Sequence, residues 1–238
     1  MSHHPLVSIV GFGAFGQLIA RHLRGHARLH ICDPVRRGND LAQVSLRDAA
    51  RANIVVLAVP VPALEQVLHD LAPHLRPGTV VIDVASVKER PARLMQDILP
   101  PDVDIIASHP LFGPASAADG LAGHRLAWCP LRGMAHRRIG AFLRRAGLRV
   151  ITTTPAQHDR DMAVVQGLTH LIARSLARLG PAPRRLTTRS FDALIHAAAM
   201  VQDDSPELLH TILTLNPHAE PIRRAFLDAA NRVVQQAG

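Results

Sequence analysis

One histidine in this chain is placed where a reaction could use a fixed base. His109 lies within Ser108–Pro114, directly after a short apolar run that is typical of a strand end. Pro110 restricts the backbone after the histidine, and Gly113-Pro114 turns the chain again. Because an imidazole titrates near neutral pH, a histidine held in this way can accept a proton during a reaction. The alternative, a loop histidine that caps a turn, stays open on these residues alone.

A solitary lysine is the second candidate for a site role. Lys88 is the one lysine among 27 basic residues, and the others are all arginine. A bias towards arginine reflects codon composition. A position that nevertheless has lysine, with its compact ammonium group, is therefore a candidate for a specific role. Lys88 closes the stretch Asp83–Lys88, at the carboxyl end of a predicted strand. We interpret it as a site residue, the alternative being a lysine retained by chance.

A glycine-rich turn near the start predicts a dinucleotide-binding site. The apolar run Leu6–Val10 is followed, before a segment with helical spacing, by Gly11, Phe12, Gly13, Ala14, Phe15 and Gly16. Gly11 makes the tight turn, Gly13 lets a pyrophosphate approach the backbone, and Gly16 lets helix and strand pack closely. The helix N-terminus then offers N–H groups and its positive dipole end to the phosphates. The strand–turn–helix context disfavours the alternative of a glycine turn that binds no ligand.

An acidic residue after the second predicted strand selects the coenzyme. The run Leu29–Cys32 ends at Asp33, close to the expected distance from the glycines. A carboxylate there binds the adenosine ribose hydroxyls and repels a 2′-phosphate, so we predict NAD. NADP remains an alternative because Arg36 and Arg37 follow closely.

The rest of the first half predicts a mainly parallel sheet. Ile54–Val59 and Thr79–Val84 are continuous apolar runs with an amphipathic segment between them. Strands of this kind, separated by helices, are typical of a parallel sheet covered on both faces. Ligands of such sheets bind beyond the carboxyl ends of the strands, where Val59, Pro60 and His109 fall. We therefore predict a Rossmann-type, doubly wound α/β sheet, with Val59 and Pro60 beside the coenzyme.

A change of pattern near residue 153 predicts two domains. Residues 1–153 form the dinucleotide-binding domain, and residues 154–238 form an all-helical substrate and dimerisation domain. The first helix of that second domain is predicted from Thr154 to about Leu179. Its apolar residues lie nearly all round, which in a small domain indicates burial against a partner subunit, so a homodimer is expected.

The same helix carries a polar stripe. Gln166, His170 and Arg174 lie on one face at four-residue spacing. A polar stripe on a buried helix needs partners or a ligand. From the spacing alone, a hydrogen-bonded core histidine is the favoured account of His170.

Composition excludes several classes of protein. A hydrophobic content of 47% and a charged content of 19% indicate a globular chain. No apolar run reaches transmembrane length and no signal-peptide pattern is apparent, so no membrane partner is expected. Cys32 and Cys129 fit no metal or redox spacing, so we expect no metal and a cytoplasmic, reducing compartment. The net charge of +8 suits anionic ligands, whereas 3% aromatic residues and dispersed arginines disfavour nucleic acid.

Taken together, the motifs resemble those of the prephenate/arogenate dehydrogenase family of tyrosine biosynthesis, most closely its plant-type arogenate branch. The matching segments are Gly11–Gly16, Asp83–Pro91, Ile98–Pro114, Gln157–Ala163, Gln166–His170 and Asn216-Pro217. The resemblance implies NAD(P)-dependent oxidative decarboxylation of a small anionic cyclohexadienyl substrate. Prephenate and arogenate differ by a keto group against an ammonium group, and the sequence leaves that choice open.

The resemblance also implies catalytic residues. His109 matches the family's catalytic histidine, and Ser86 matches a serine near the substrate hydroxyl and the nicotinamide. His170 matches a helical histidine that lines the same site, which reverses the expectation from its spacing.

The substrate-binding cation departs from the family pattern. Met200 aligns where many bacterial members have an arginine that binds a substrate carboxylate. Another cation must serve, and the candidates are Lys88, Arg174 and Arg189.

Two other functions remain as alternatives. A β-hydroxyacid dehydrogenase or an imine reductase would need a different catalytic set, such as a lysine on the long helix, where this chain has none. A non-catalytic dinucleotide-binding sensor would bind NAD tightly without turnover.

Overall fold

The apolar runs of the first half become neighbouring strands of one sheet. The computed structural model describes residues 4–38, 40–180, 186–202 and 204–237. These residues divide into two compact units, the first ending at Pro155 and the second beginning at Ala156. The strands of the first unit are β1 (Leu6–Val10), β2 (Arg28–Cys32), β3 (Ala42–Gln43), β4 (Ile54–Leu57), β5 (Val80–Asp83), β6 (Asp104–Pro110), β7 (Arg125–Arg132) and β8 (Arg149–Thr152).

The order and direction of the strands confirm the predicted mainly parallel, doubly wound sheet. The strands lie in the order β3-β2-β1-β4-β5-β6-β7-β8. All described neighbours pair in parallel except β6 and β7, which are antiparallel. The carboxyl ends of β1, β4, β5 and β6 therefore meet along one side of the sheet, which we call the carboxyl edge.

The antiparallel strand β7 was not among the strands expected from the sequence. Its apolar run contains Pro130, and a proline inside a run argues against a strand because it cannot donate to the ladder. In the structure Ile105 lies opposite Arg132 and Ile106 lies opposite Pro130, so the register shifts at that point. The irregular pairing accommodates the proline.

Helices cover both faces of the sheet, which explains why the strands are apolar on both sides. The helices of this unit are α1 (Ala14–Leu23), α2 (Leu46–Ala49), α3 (Val61–Leu71), α4 (Glu89–Ile98) and α5 (Ala135–Arg145). Val55 and Val81 pack on one face with Leu68 of α3. Ile9 and Ile31 pack on the other face. This two-sided burial is what a continuous Val/Ile run requires.

The second unit is helical. Its helices are α6 (Pro155–Arg178), α7 (Arg189–Ala199), α8 (Pro206–His210), which continues into a π-helical turn (Thr211–Leu215), and α9 (Ala219–Gln236). Within one chain α6 is not covered on all sides, because Val164 and Val165 are 45% and 62% exposed; its expected burial against a partner subunit stays a prediction. None of the described helices combines the length and hydropathy needed to span a membrane.

Candidate active site

The glycine turn after β1 leaves open space at the carboxyl edge. Gly11 has φ +92°, and a Cβ there would lie 2.4 Å from the carbonyl oxygen of Ala58. A Cβ on Gly16 would lie 2.2 Å from the carbonyl oxygen of Gly11, so strand and helix pack too closely for a side chain. Around Gly13, by contrast, no described atom lies within 4 Å of such a Cβ. The turn is thus closed on its inner side and open at Gly13.

The helix that follows this turn is suited to an anion. Gly13 is the N-cap of α1, and among the described residues no side chain caps the helix and no acid lies in its first turn. The first N–H groups of a helix lack intrahelical partners and carry its positive dipole end. The turn and the helix end therefore fit the pyrophosphate of a dinucleotide.

Asp33 lies beside this turn. Its carboxylate accepts hydrogen bonds from the backbone N–H groups of Phe12 (2.7 Å), Val35 (2.9 Å) and Arg36 (2.8 Å). Partial burial acts to raise the pKa of Asp33, but these N–H donors, and the Arg36 guanidinium, outweigh it and lower the pKa below its ordinary value. Asp33 is therefore a fixed anion. The Arg37 guanidinium donates to the Asp33 carbonyl (3.0 Å).

His109 lies almost completely buried near the end of β6. The residue is 4% exposed, and its backbone lies opposite Ala127 of β7. Three residues further on, the ring of Phe112 lies 6.2 Å from the ring of Phe15 in the glycine turn. The same Phe112 ring lies 4.9 Å from the ring of His124. An aromatic contact thus joins the histidine segment to the dinucleotide turn.

Lys88 is at the carboxyl edge, as expected, but it is not an exposed cation. The residue is fully buried, and its ammonium donates to the Asp83 carboxylate and to the carbonyl of Ser108 (2.6 Å). Burial raises the pKa of the Asp83 carboxyl, and the Lys88 ammonium opposes that effect. The expectation that Lys88 binds a substrate carboxylate is therefore corrected: its charge is engaged inside the protein.

The remaining expected residues of the first unit also lie at this edge. Ser86 is half-buried in the connection between β5 and α4, two residues before Lys88. Val59 is half-buried beside Gly11, and Pro60 is the exposed N-cap of α3. These positions agree with the predicted edge.

In the helical unit, His170 belongs to a hydrogen-bonded cluster. The residue is 3% exposed, and its Nδ1 lies 2.9 Å from the carbonyl oxygen of Gln166. Its Nε2 lies 2.9 Å from the Asp204 carboxylate. The guanidinium of Arg174 donates to the Asp204 carbonyl. His170 and Arg174 are thus brought together through Asp204, which the sequence analysis did not identify.

The third candidate cation, Arg189, and Met200, which aligns with the family's arginine, are both exposed. Arg189 begins α7, and Met200 follows the end of that helix with 69% of its surface exposed. Of the three candidate cations, Lys88 and Arg174 donate to groups of the protein, so the structure leaves Arg189 as the exposed one.

Two family models match this chain. One, described as "Prephenate dehydrogenase, nucleotide-binding domain", matches residues 26–152. The other, described as "Prephenate dehydrogenase, dimerization domain", matches residues 154–236. Together they extend over most of both halves of the chain.

Similar curated proteins come from plants, archaea and bacteria. Arogenate dehydrogenase 1, chloroplastic, of Arabidopsis thaliana is 30% identical over 90% of this chain and 36% of its own length. The probable arogenate/prephenate dehydrogenase of Methanocaldococcus jannaschii is 27% identical over 82% of this chain and 46% of its own. The 4-amino-4-deoxyprephenate dehydrogenase of Streptomyces pristinaespiralis is 30% identical over 82% of this chain and 67% of its own. This chain therefore spans less than half the length of the first two relatives.

Solved structures share the fold. One is prephenate dehydrogenase from Aquifex aeolicus in complex with hydroxyphenyl propionate and NAD⁺. Its TM-score is 0.76 at 20% identity, and the alignment covers 98% of this chain and 92% of the Aquifex chain. Synechocystis arogenate dehydrogenase has a TM-score of 0.70 at 22% identity and covers 97% of this chain and 90% of its own.

Proposed function

Because this chain belongs to the prephenate dehydrogenase family, we propose that it oxidatively decarboxylates prephenate or arogenate with a nicotinamide dinucleotide. The observation that carries the proposal is the position of His109. It is buried near the carboxyl end of β6, at the edge where the glycine turn follows β1. A buried base at the same edge as a dinucleotide turn is what this reaction requires.

The spacing of the strands supports this arrangement. β1 and β6 are separated by β4 and β5. Neighbouring strands lie about 4.8 Å apart, so the glycine turn and His109 are separated by roughly 14 Å across the edge. A dinucleotide whose pyrophosphate lies at Gly13 would direct its nicotinamide along this edge towards the strands that carry Lys88 and His109.

The proposed reaction needs one base and tight positioning. A dinucleotide held at the glycine turn would supply a hydride acceptor for the ring carbon that carries the hydroxyl. His109 takes the hydroxyl proton and a dienone forms; the carbon–carboxylate bond then breaks to release carbon dioxide, its electron pair completes the aromatic ring, and the resulting phenolate oxygen regains a proton from His109. Because aromatisation drives the decarboxylation, the protein's residues have to orient the substrate, exclude water and hold the base. The burial of His109 serves the last two tasks.

The other residues of the proposal have supporting roles. We assign Ser86 to the substrate hydroxyl and nicotinamide, and His170 to the wall of the substrate site. Arg189 is proposed to bind a substrate carboxylate, since it begins a helix and is exposed. The coenzyme residues of the proposal are Gly11, Phe12, Gly13, Ala14, Phe15, Gly16, Asp33, Val59 and Pro60.

A direct assay tests the proposed function. Prephenate and arogenate are each offered with NAD⁺ and with NADP⁺, and reduced coenzyme and carbon dioxide are measured together. We expect equimolar formation of both products with at least one substrate, and the better substrate settles the choice left open above. Tight NAD⁺ binding without turnover of either substrate would instead identify a dinucleotide sensor.

We expect NADH to bind more tightly than NADPH. The Asp33 carboxylate is held in its charged form by backbone N–H groups, and it would repel a 2′-phosphate. Fluorescence titration with both reduced coenzymes measures the two dissociation constants, and Asp33→Asn should narrow their difference. Tighter binding of NADPH by the wild-type chain would contradict this prediction and favour a role for Arg36.

We also propose that the chain forms a homodimer through its helical unit, in the cytoplasm. The matched dimerization domain and the exposed apolar side chains Val164, Val165, Leu227, Val233 and Val234 support the dimer. Cys32 and Cys129, which have no metal or redox spacing, suit a reducing compartment.

Light scattering is expected to give twice the protomer mass of 25.8 kDa. Val165→Asp should shift the protein towards the monomer, because burying an unpaired carboxylate in an apolar interface is costly. Met134→Asp, which places the same charge at a 57% exposed position of the first unit, is the matched control. A wild-type monomer at micromolar concentration would refute the proposed dimer.

A further inference from the structure

The chain's single lysine is fully buried against one acid. Lys88 and Asp83 have side-chain exposures of 0% and 1%, and they lie at the two ends of the connection that leaves β5. The ammonium of Lys88 also donates to the carbonyl of Ser108 in the neighbouring strand β6 (2.6 Å). Lys88 thus bridges one strand end and the strand that carries His109.

Asp83 binds the same residue of β6, Ser108, through two further hydrogen bonds. Its carboxylate accepts the backbone N–H of Ser108 (3.3 Å), and its carbonyl accepts the Ser108 hydroxyl (2.7 Å). Together, Asp83 and Lys88 therefore form hydrogen bonds with the N–H, the carbonyl and the hydroxyl of Ser108, the residue directly before His109.

These bonds lie where the parallel ladder ends. The last described pair between β5 and β6 is Asp83 with Ala107. Beyond it, β6 continues through His109, which is paired on its other side with Ala127 of β7. The Asp83–Lys88 pair replaces the missing ladder on the β5 side at Ser108, the residue directly before His109, while His109 itself pairs with Ala127 of β7.

Energetics indicate that position, not stability, is what this pair contributes. Removing two charges from water costs about as much free energy as their attraction returns, and apolar pairs of equal volume are often as stable. A buried pair bonded to one specific residue does, however, fix the geometry of that residue. A compact ammonium suits this place, whereas a planar guanidinium would need more room and more acceptors.

We propose that Lys88 and Asp83 are positioning residues for His109, acting through the main chain of Ser108 and not through contact with the substrate. The proposal rests on the proposed function, in which His109 is the base. It replaces the expectation that Lys88 binds a substrate carboxylate.

Kinetics of Lys88→Met and Lys88→Arg test the proposal. A displacement of a reacting group by about 1 Å can cost roughly a hundredfold in rate, so we expect kcat to fall by about that factor in both variants. KM for the better substrate should stay within roughly twofold, since no substrate contact is removed. Arg90→Met removes a half-exposed cation of α4 that is paired with Glu65 of α3, and it should keep wild-type kinetics. Unchanged kcat in either Lys88 variant, or a rise in KM larger than the fall in kcat, overturns the proposal.

A double variant distinguishes a loss of kcat in the folded protein from a loss caused by misfolding. Lys88→Met leaves Asp83 as an uncompensated buried charge, whereas Asp83→Asn combined with Lys88→Met removes both charges. The double variant should unfold at a temperature close to that of the wild type and still show the fall in kcat. Wild-type kcat in this folded double variant overturns the proposal.

A spectroscopic measurement tests the position of Lys88 without turnover. With ¹⁵N-lysine labelling the chain contains one labelled ammonium. We expect one Nζ signal at neutral pH, because a buried, hydrogen-bonded ammonium exchanges its protons slowly, and we expect its loss in Lys88→Met. Its absence from the wild type overturns the proposed position of Lys88. A wild type that shows the signal but turns over neither substrate refutes the proposed function, and with it the role of the pair.

Discussion

Replacement of His109 by asparagine is expected to lower turnover by at least about a hundredfold. Loss of a general base typically costs that much, which corresponds to about 2.7 kcal/mol of transition-state stabilisation. Asparagine is close to histidine in size and keeps hydrogen-bonding groups, so β6 and the turn after it should remain intact. Because the dinucleotide turn follows a different strand, the dissociation constant for NADH should change little.

The pH dependence of turnover separates a base from a turn residue at this position. Wild-type turnover should fall as the pH is lowered through the range in which an imidazole gains a proton, and this acidic limb should be absent from His109→Asn. His69→Asn, at an exposed histidine of α3, is the control and should keep both rate and limb. Near-normal turnover in His109→Asn, or an unchanged acidic limb, would show that His109 only shapes the turn, with His170 the next candidate base.

Gly13→Val is expected to weaken NADH binding tenfold to a hundredfold while lowering stability by only about 1 kcal/mol, the cost of replacing a glycine N-cap. A Cβ at Gly13 meets no described atom within 4 Å, and its φ of −66° and ψ of −170° suit a β-branched residue. The folded protein alone therefore tolerates valine. The pyrophosphate does not, because the branched side chain occupies its place; overpacking of this kind costs about 1–3 kcal/mol.

A contrasting variant distinguishes binding from folding. Gly11→Ala places a Cβ 2.4 Å from the carbonyl oxygen of Ala58 at a φ of +92°, so it should lower the melting temperature. Gly13→Val should lower the melting temperature of the coenzyme-free protein much less than Gly11→Ala does, while a titration shows weakened binding. Wild-type affinity for NADH in Gly13→Val would mean that the nucleotide does not bind at this turn.

The parallel part of the sheet could be predicted from the sequence because its strands are buried on both faces. Continuous apolar runs, such as the one around Val55, are typical of strands in a parallel sheet that helices cover on both faces. β7 escaped prediction because Pro130 interrupts its pattern. The shifted register that accommodates this proline is a property of its pairing with β6 and is not encoded in the run itself.

The candidate site could be predicted only as far as the edge of the sheet. The order of strands and turns brings Lys88 and His109 to one edge, so their neighbourhood followed from the pattern. The burial of Lys88 did not, because it depends on the carbonyl of Ser108 in another strand. In the same way, the partner of His170 is Asp204, far along the chain and without a periodic relation to it.

The burial of Lys88 also protects the folded protein from proteases that cleave after lysine. A lysine-specific endoprotease has one peptide bond in this chain to cleave, Lys88–Glu89, and the side chain it must bind is fully inside the fold. Cleavage therefore requires the connection between β5 and α4 to open. Its rate, read from the appearance of two fragments, reports how often the carboxyl edge opens, and any ligand that holds this edge closed lengthens the lifetime of the intact chain.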